Sequence, residues 1–160
     1  MSIQYIFDLD NTVIDSTHRQ LYKLNGSLDL DHWLENNTAE NIAADKLLPL
    51  ANEMRRCYDL GYKIVICSAR VMSDNDFRFL HNNNLPFHVC LNRKQGDNTP
   101  DNILKERLLK RYAVSHVGSW RKFISTSIMY DDNRGVINHL RDLGLRVYNS
   151  WKYNLGEKYA

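Results

Sequence analysis

A chain of 160 residues suits one compact domain with a full core and is too short for two ordinary ones. With 43% hydrophobic and 25% charged residues it is far from a disordered composition, no apolar run exceeds strand length, and Met1-Ser2-Ile3-Gln4 lacks the pattern of a signal peptide, so neither export nor a membrane span is expected. The balance of 21 basic against 19 acidic side chains leaves no global footprint for nucleic acid, and Cys57, Cys67 and Cys90 sit in apolar patterns without CxxC or Cys/His spacing, which argues against zinc and for a reduced cytoplasm.

Residues 3–7 are β-branched and aromatic and run into Asp8, as a buried strand ending at a loop does. The stretch 14–44 is polar, with isolated apolar positions such as Leu21, Leu24, Trp33 and Leu34, and is expected to form a small cap inserted over the site. From Asp45 the positions Leu47, Leu50, Ala51, Met54, Cys57 and Tyr58 recur at helical spacing, and Gly61 supplies a stop. Residues 63–67 predict a second strand, 73–83 a capped helix and 87–91 a third strand. Thr99-Pro100-Asp101 has the cap, first-turn proline and acid of a helix start, with Ile103, Leu104, Leu108 and Leu109 as the inward face. A fourth strand at 127–130, a helix over 133–143 stopped by Gly144 and a fifth strand at 145–148 complete the pattern. This alternation predicts a Rossmann-like α/β three-layer sandwich around a mostly parallel five-stranded sheet, in which ligands bind at the carboxyl ends of the strands.

Those strand ends carry polar residues suited to phosphoryl transfer. The first runs into Asp8-Leu9-Asp10-Asn11-Thr12, whose two carboxylates can divide roles, one ionised as nucleophile or metal ligand and the other holding a proton. The second ends in Ser68-Ala69-Arg70, a hydroxyl and a guanidinium able to reach phosphate oxygens. Lys105 follows Asp101 by one helical turn, a spacing equally common in surface pairs. The fourth ends in Tyr130-Asp131-Asp132-Asn133, where adjacent carboxylates call for a compensating hard cation.

In that order and on those elements, Asp8/Asp10, Ser68, Lys105 and Asp131/Asp132 resemble the four motifs of the haloacid dehalogenase superfamily along nearly the whole chain. Finer details resemble the 3'-phosphatase domain of phage-type polynucleotide kinase-phosphatases: Arg19 eleven residues after the nucleophile, Ser68-Ala69-Arg70, Gln95-Gly96-Asp97 and Asp101 one turn before Lys105. Asn11, Ala69 and Asn133 depart from the Gly, Gly and Arg of that pattern, the insertion is longer, and no P-loop motif for a kinase half occurs in these residues. The resemblance implies a phosphatase in which Asp8 is the covalent nucleophile and Asp10 the acid/base, oriented by Thr12. It also implies Ser68 and Lys105 on the transferring oxygens, and Mg2+ held by Asp8, the Asp10 carbonyl, Asp131 and Asp132. Arg19, Ala69 and Arg70 are expected on substrate phosphate, outside the core, with Asp101 holding Lys105 or an arginine.

The substrate expected first is a 3'-phosphate on a DNA or RNA end, supported by Arg19, Arg70, Asp101 and the Arg93-Lys94 pair; the alternative is a free (deoxy)nucleotide whose base stacks on Trp33. A phospho-accepting receiver domain is excluded by strand order, since Leu91 ends the third strand and leads into Asn92-Arg93, not an aspartate. An inactive scaffold is disfavoured by the intact motif set. Work in the cytoplasm is expected, the host's if the chain is phage-encoded.

Overall fold

The computed structural model describes residues 3–156. Five strands, β1 (Gln4–Phe7), β4 (Lys63–Ser68), β5 (Val89–Asn92), β6 (Ser127–Asp131) and β7 (Arg146–Asn149), form one sheet in the order β5-β4-β1-β6-β7. Every neighbouring pair in it is parallel. Side chains of a strand alternate between faces, and here both faces are covered. Phe7, Ile64 and Ile66 enter one core with α3 (Leu50–Asp59) and α4 (Asp74–Asn82). Ile6, Val65, Cys67 and Met129 enter the other with α5 (Asp101–Tyr112), α6 (Trp120–Ser125) and α7 (Arg134–Asp142). The doubly covered parallel sheet expected from the sequence is the one found.

Register sets the site. Phe7 lies opposite Ile66 on one side and Tyr130 on the other, and the Asp8 amide donates to the Tyr130 carbonyl at 3.1 Å, so the chain ends after β1, β4 and β6 emerge together. Between β1 and α3 the chain departs through β2 (Ile14–Asp15) and returns through β3 (Lys46–Leu47), an antiparallel pair at the root of α1 (Leu30–Glu35) and α2 (Ala39–Ala43).

Several local expectations require correction. The helix expected from Asp45 starts only at Leu50, because Lys46–Leu47 pairs with β2 and Pro49 stands at the N-cap. Thr99 does not cap α5; Pro100 occupies that position and the Thr99 hydroxyl donates to Asp97 at 2.6 Å. Ile103 is 40% exposed, and the inward face of α5 is Leu104, Lys105, Leu109 and Tyr112. The helix is turned by its lysine, which the carboxylates above the sheet draw inward. The short helices α6 and α8 (Ser150–Asn154) were not expected. Among the described residues, no helix is long and apolar enough to cross a membrane.

Candidate active site

Asn11 turns the chain after β1 with φ +61°, a left-handed geometry that asparagine tolerates better than most residues. The turn sends Asp8 and Asp10 into different surroundings. Asp8 is 5% exposed and accepts from Lys105 Nζ at 2.9 Å, and the same ammonium donates to Asp131 Oδ2 at 2.7 Å. Asp10 points to Arg70, which binds it with both Nε (2.8 Å) and Nη2 (2.6 Å), and accepts a further bond from Ser16.

The electrostatics follow from these partners. Burial, reinforced by Asp131 and Asp132 and only partly offset by Lys105, pushes the Asp8 carboxyl well above its ordinary range. Burial also acts on Asp10, but the Arg70 charge and the bonds from Arg70 and Ser16 outweigh it and hold that carboxyl low. Burial and Asp131 raise Asp132. For Lys105 the cost of burial is outweighed by Asp131 and Asp8, which hold the ammonium charged. The two motif carboxylates do diverge, but in the opposite sense from the expected one: Asp10 has a guanidinium fork of its own and is held low, whereas Asp8 has only the Lys105 ammonium, which it shares with Asp131, and is raised. Oxygens of Asp8, Asp131 and Asp132 all lie within 4.8 Å of one another. Three carboxylates facing one lysine form an oxygen-rich, anion-excess set that fits a hard divalent cation. The Asp10 side chain has no part in this group, being directed at Arg70.

Thr12 and Ser68 depart from their expected places, whereas Asp101 and Ala69 do not. Thr12 does not orient Asp10; its hydroxyl donates to Asp8 Oδ2 at 3.2 Å and lies 3.0 Å from Ser150 Oγ. Of its two expected partners, Lys105 or an arginine, Asp101 takes the arginine, Arg93 at 2.8 Å, while Lys105 reaches past it to Asp8 and Asp131. Ser68 is fully buried, and its oxygen caps the turn by accepting from the Arg70 amide at 3.0 Å. Ala69 lines the cavity above Asp8, and its carbonyl accepts from Arg93.

The arginines are core residues, contrary to expectation. Arg19 is 2% and Arg70 4% exposed. Arg19 forks onto Asp45 through Nε (2.9 Å) and Nη2 (2.8 Å), donates to Asn37 at 3.1 Å and lies 4.2 Å over the Trp33 ring. It does not line the cavity. Arg70 does line it, shared among Asp10, Asp76 (2.7 Å) and Asp45 (3.4 Å). Burial is tolerated because each guanidinium meets carboxylates. Asp45, Asp76 and Ser16 are thus site-supporting residues missed in the sequence. A visible signal existed for Asp76, since Ser73-x-x-Asp76 is a capping box whose acid has a second oxygen free for Arg70.

The cavity above Asp8 holds about 410 Å3. Asp8, Asp131, Asp132 and Lys105 line one part of it, and Gly26, Ser27, Leu28, Leu30 and Trp33 of the insertion line another. A family profile described as bacteriophage T5 5'-deoxynucleotidase matches residues 1–155. The chain belongs to this family. Its 5'-deoxynucleotidase relative from Escherichia phage T5 is 27% identical over 172 residues, spanning 93% of this chain and 67% of that protein. Among solved structures, a chain of the Pnkp1/Rnl/Hen1 RNA repair complex superposes with a TM-score of 0.63 at 23% identity; the match covers 92% of this chain and 42% of the other, so this chain spans less than half of that neighbour. A haloacid dehalogenase-like hydrolase from Streptococcus pneumoniae superposes with a TM-score of 0.64 at 12% identity over 92% of this chain and 84% of the other. The fold is therefore that of the haloacid dehalogenase-like hydrolases.

Proposed function

We propose that the protein is a magnesium-dependent 5'-deoxynucleotide phosphatase that works through an aspartyl-phosphate on Asp8. The carrying observation is the cavity over Asp8. Its volume of about 410 Å3 lies within the ~300–1,000 Å3 of small-ligand sites, with charged groups at the reacting end and insertion residues over it. That suits a free nucleotide, and the family match supports the same substrate class. A polynucleotide end would call for a groove of unpaired cations. Arg93, which favoured such a substrate in the sequence, is instead committed to the Ala69, Asp97 and Thr99 carbonyls and to Asp101. These observations favour the mononucleotide reading over the 3'-phosphatase one.

In this reading Asp8 attacks phosphorus, forming an acyl phosphate as the bond to the 5'-oxygen breaks and the deoxynucleoside leaves; water then attacks phosphorus, releasing phosphate and restoring Asp8. Thr12 and Lys105 aim the Asp8 carboxylate, and Lys105 stabilises charge on the transferring oxygens. Asp10, held ionised by Arg70, is set to take the proton of the attacking water. To protonate the leaving oxygen first, it has to leave the Arg70 fork, which an arriving phosphate frees by competing for the guanidinium, and take up a proton from water in the open cavity; it passes that proton to the 5'-oxygen and regains one from the attacking water. Ser68 and Ala69 shape the turn that presents Arg70, and Asp101 fixes Arg93 beneath it. Mg2+ would be held by Asp8, Asp131, Asp132 and the Asp10 carbonyl, and when bound it supplies the positive charge that lets two anions meet. A deoxynucleotide substrate implies work in the cytoplasm, the host's if the chain is phage-encoded.

The test is phosphate release with Mg2+ from 5'-deoxynucleotides, 3'-deoxynucleotides and 3'-phosphorylated oligonucleotides. Preference for the 5'-deoxynucleotides is expected. Preference for oligonucleotide 3'-ends, with the steep salt dependence of counterion release, would restore the polynucleotide reading.

A further inference from the structure

We propose that the nucleobase of the substrate is held in a second chamber between Tyr22 and Trp151, beside the phosphate site; this rests on the deoxynucleotide reading. The chamber holds about 430 Å3 and shares Asn11, Gln20, Tyr22 and Asp132 with the cavity over Asp8. Since Asp132 belongs to the carboxylate group around Asp8, a nucleotide with its phosphate there has the chamber within reach.

The lining selects the part of the ligand. Asp15 and Asp132 place carboxylates along it, which disfavours a phosphate and favours an uncharged group. Its polar side chains are largely occupied: Gln20 donates to Ser16 at 2.9 Å and accepts from the Tyr22 hydroxyl at 2.7 Å, and Asn154 joins the Leu50 amide to the Thr12 carbonyl. Besides those carboxylates and amides, the wall includes the rings of Tyr22 and Trp151 with Leu48. Tyr22 is 54% and Trp151 61% exposed, two large rings on separate elements left facing water. Flat heteroaromatic rings stack on such platforms. Trp33, the platform expected from the sequence, is only 9% exposed, and its face is occupied by Arg19. Trp151 enters the wall because Asn149 caps α8 directly after β7, accepting from the Trp151 amide at 3.0 Å.

The first readout compares kcat/KM for 5'-deoxynucleotides and for 2-deoxyribose 5-phosphate, which has no base, in wild type, Trp151→Ala and Tyr22→Ala with Mg2+. Loss of one stack corresponds to roughly ten- to hundred-fold, so each variant is expected to lose at least about tenfold more on deoxynucleotides than on the sugar phosphate, chiefly through KM. Tyr22→Phe, which keeps the ring, is expected to restore most of the loss. Equal losses on both substrates would overturn the chamber. The second readout needs no turnover: in equilibrium dialysis deoxyadenosine is expected to bind wild type and to bind Trp151→Ala at least tenfold more weakly. No binding to wild type, or equal binding to the variant, overturns the chamber whatever the hydrolysis data show. Weakened binding in the variant, with no hydrolysis of any 5'-deoxynucleotide, upholds the chamber and overturns the proposed function instead.

Discussion

Arg19→Ala tests the buried charge network most sharply. A side chain in a polar insertion, taken as surface, would change stability by about 0.5 kcal/mol or less when truncated. The structure implies much more, because Arg19 is 2% exposed and its removal strips Asp45 of a two-bond partner and Trp33 of the cation over its face. Breaking a buried pair costs about 3–5 kcal/mol, and a desolvated cation–π contact adds about 1–2 kcal/mol. Asp45 is not left wholly bare, since His18 lies at 2.8 Å and Arg70 at 3.4 Å. The lower end, about 3 kcal/mol, is therefore expected, or a fall in Tm of roughly 6–12 °C for a domain of this size. Arg19→Lys keeps the charge but not the fork and is expected to fall between wild type and alanine. Urea titration and thermal melts followed by circular dichroism measure both. An alanine variant within about 0.5 kcal/mol of wild type would refute the network as a stabilising element.

In chelator, stability is expected to fall as pH rises above the ordinary aspartate range near about 4, because burial raises Asp8 and Asp132 in the fold, the native state binds more protons than the unfolded chain, and ionisation is then unfavourable. Asp10, held low, contributes the opposite slope only below about pH 4, near its unfolded value. Saturating Mg2+ or Asp8→Asn should flatten that fall, and a melting temperature in chelator that rises with pH above the aspartate range would contradict the raised carboxyls. Lys105→Met leaves Asp8 and Asp131 without their shared cation, so a loss of about 3–5 kcal/mol together with turnover is expected. An active, fully stable Lys105→Met would remove that lysine from the site. Chelation should stop phosphate release and Mg2+ restore it, while Ca2+, with longer and more numerous bonds, should not; full activity in chelator would remove the cation from the chemistry.

How far the sequence was legible follows from what each residue interacts with. Strands β1, β4 and β6 were legible because continuous apolar runs end in Asp8, Ser68 and Asp131, and a parallel sheet places such ends side by side. Arg19 and Arg70 were misplaced because burial of an arginine depends on carboxylates supplied from elsewhere, Asp45 from the far end of the insertion and Asp76 from α4. Which partner Lys105 takes is not visible in the sequence: its i−4 acid, Asp101, goes to Arg93, whereas Asp8 and Asp131 are 97 and 26 residues away. Helices α6 and α8 escaped notice because six and five residues make less than two turns, too few to show a period. Trp151 was lost with α8, and with it one wall of the chamber beside the site.

In the proposed reaction Asp8 carries the phosphoryl group taken from a 5'-deoxynucleotide. The most direct measurement is acid quenching of the Mg2+-loaded protein during turnover of a 5'-deoxynucleotide, followed by peptide mapping by mass spectrometry. A hydroxylamine-sensitive phosphoryl adduct on Asp8 is expected in the wild type, and neither adduct nor turnover in Asp8→Asn. An adduct on another residue, or an Asp8→Asn variant that folds and still releases phosphate at more than about a tenth of the wild-type rate, would contradict it.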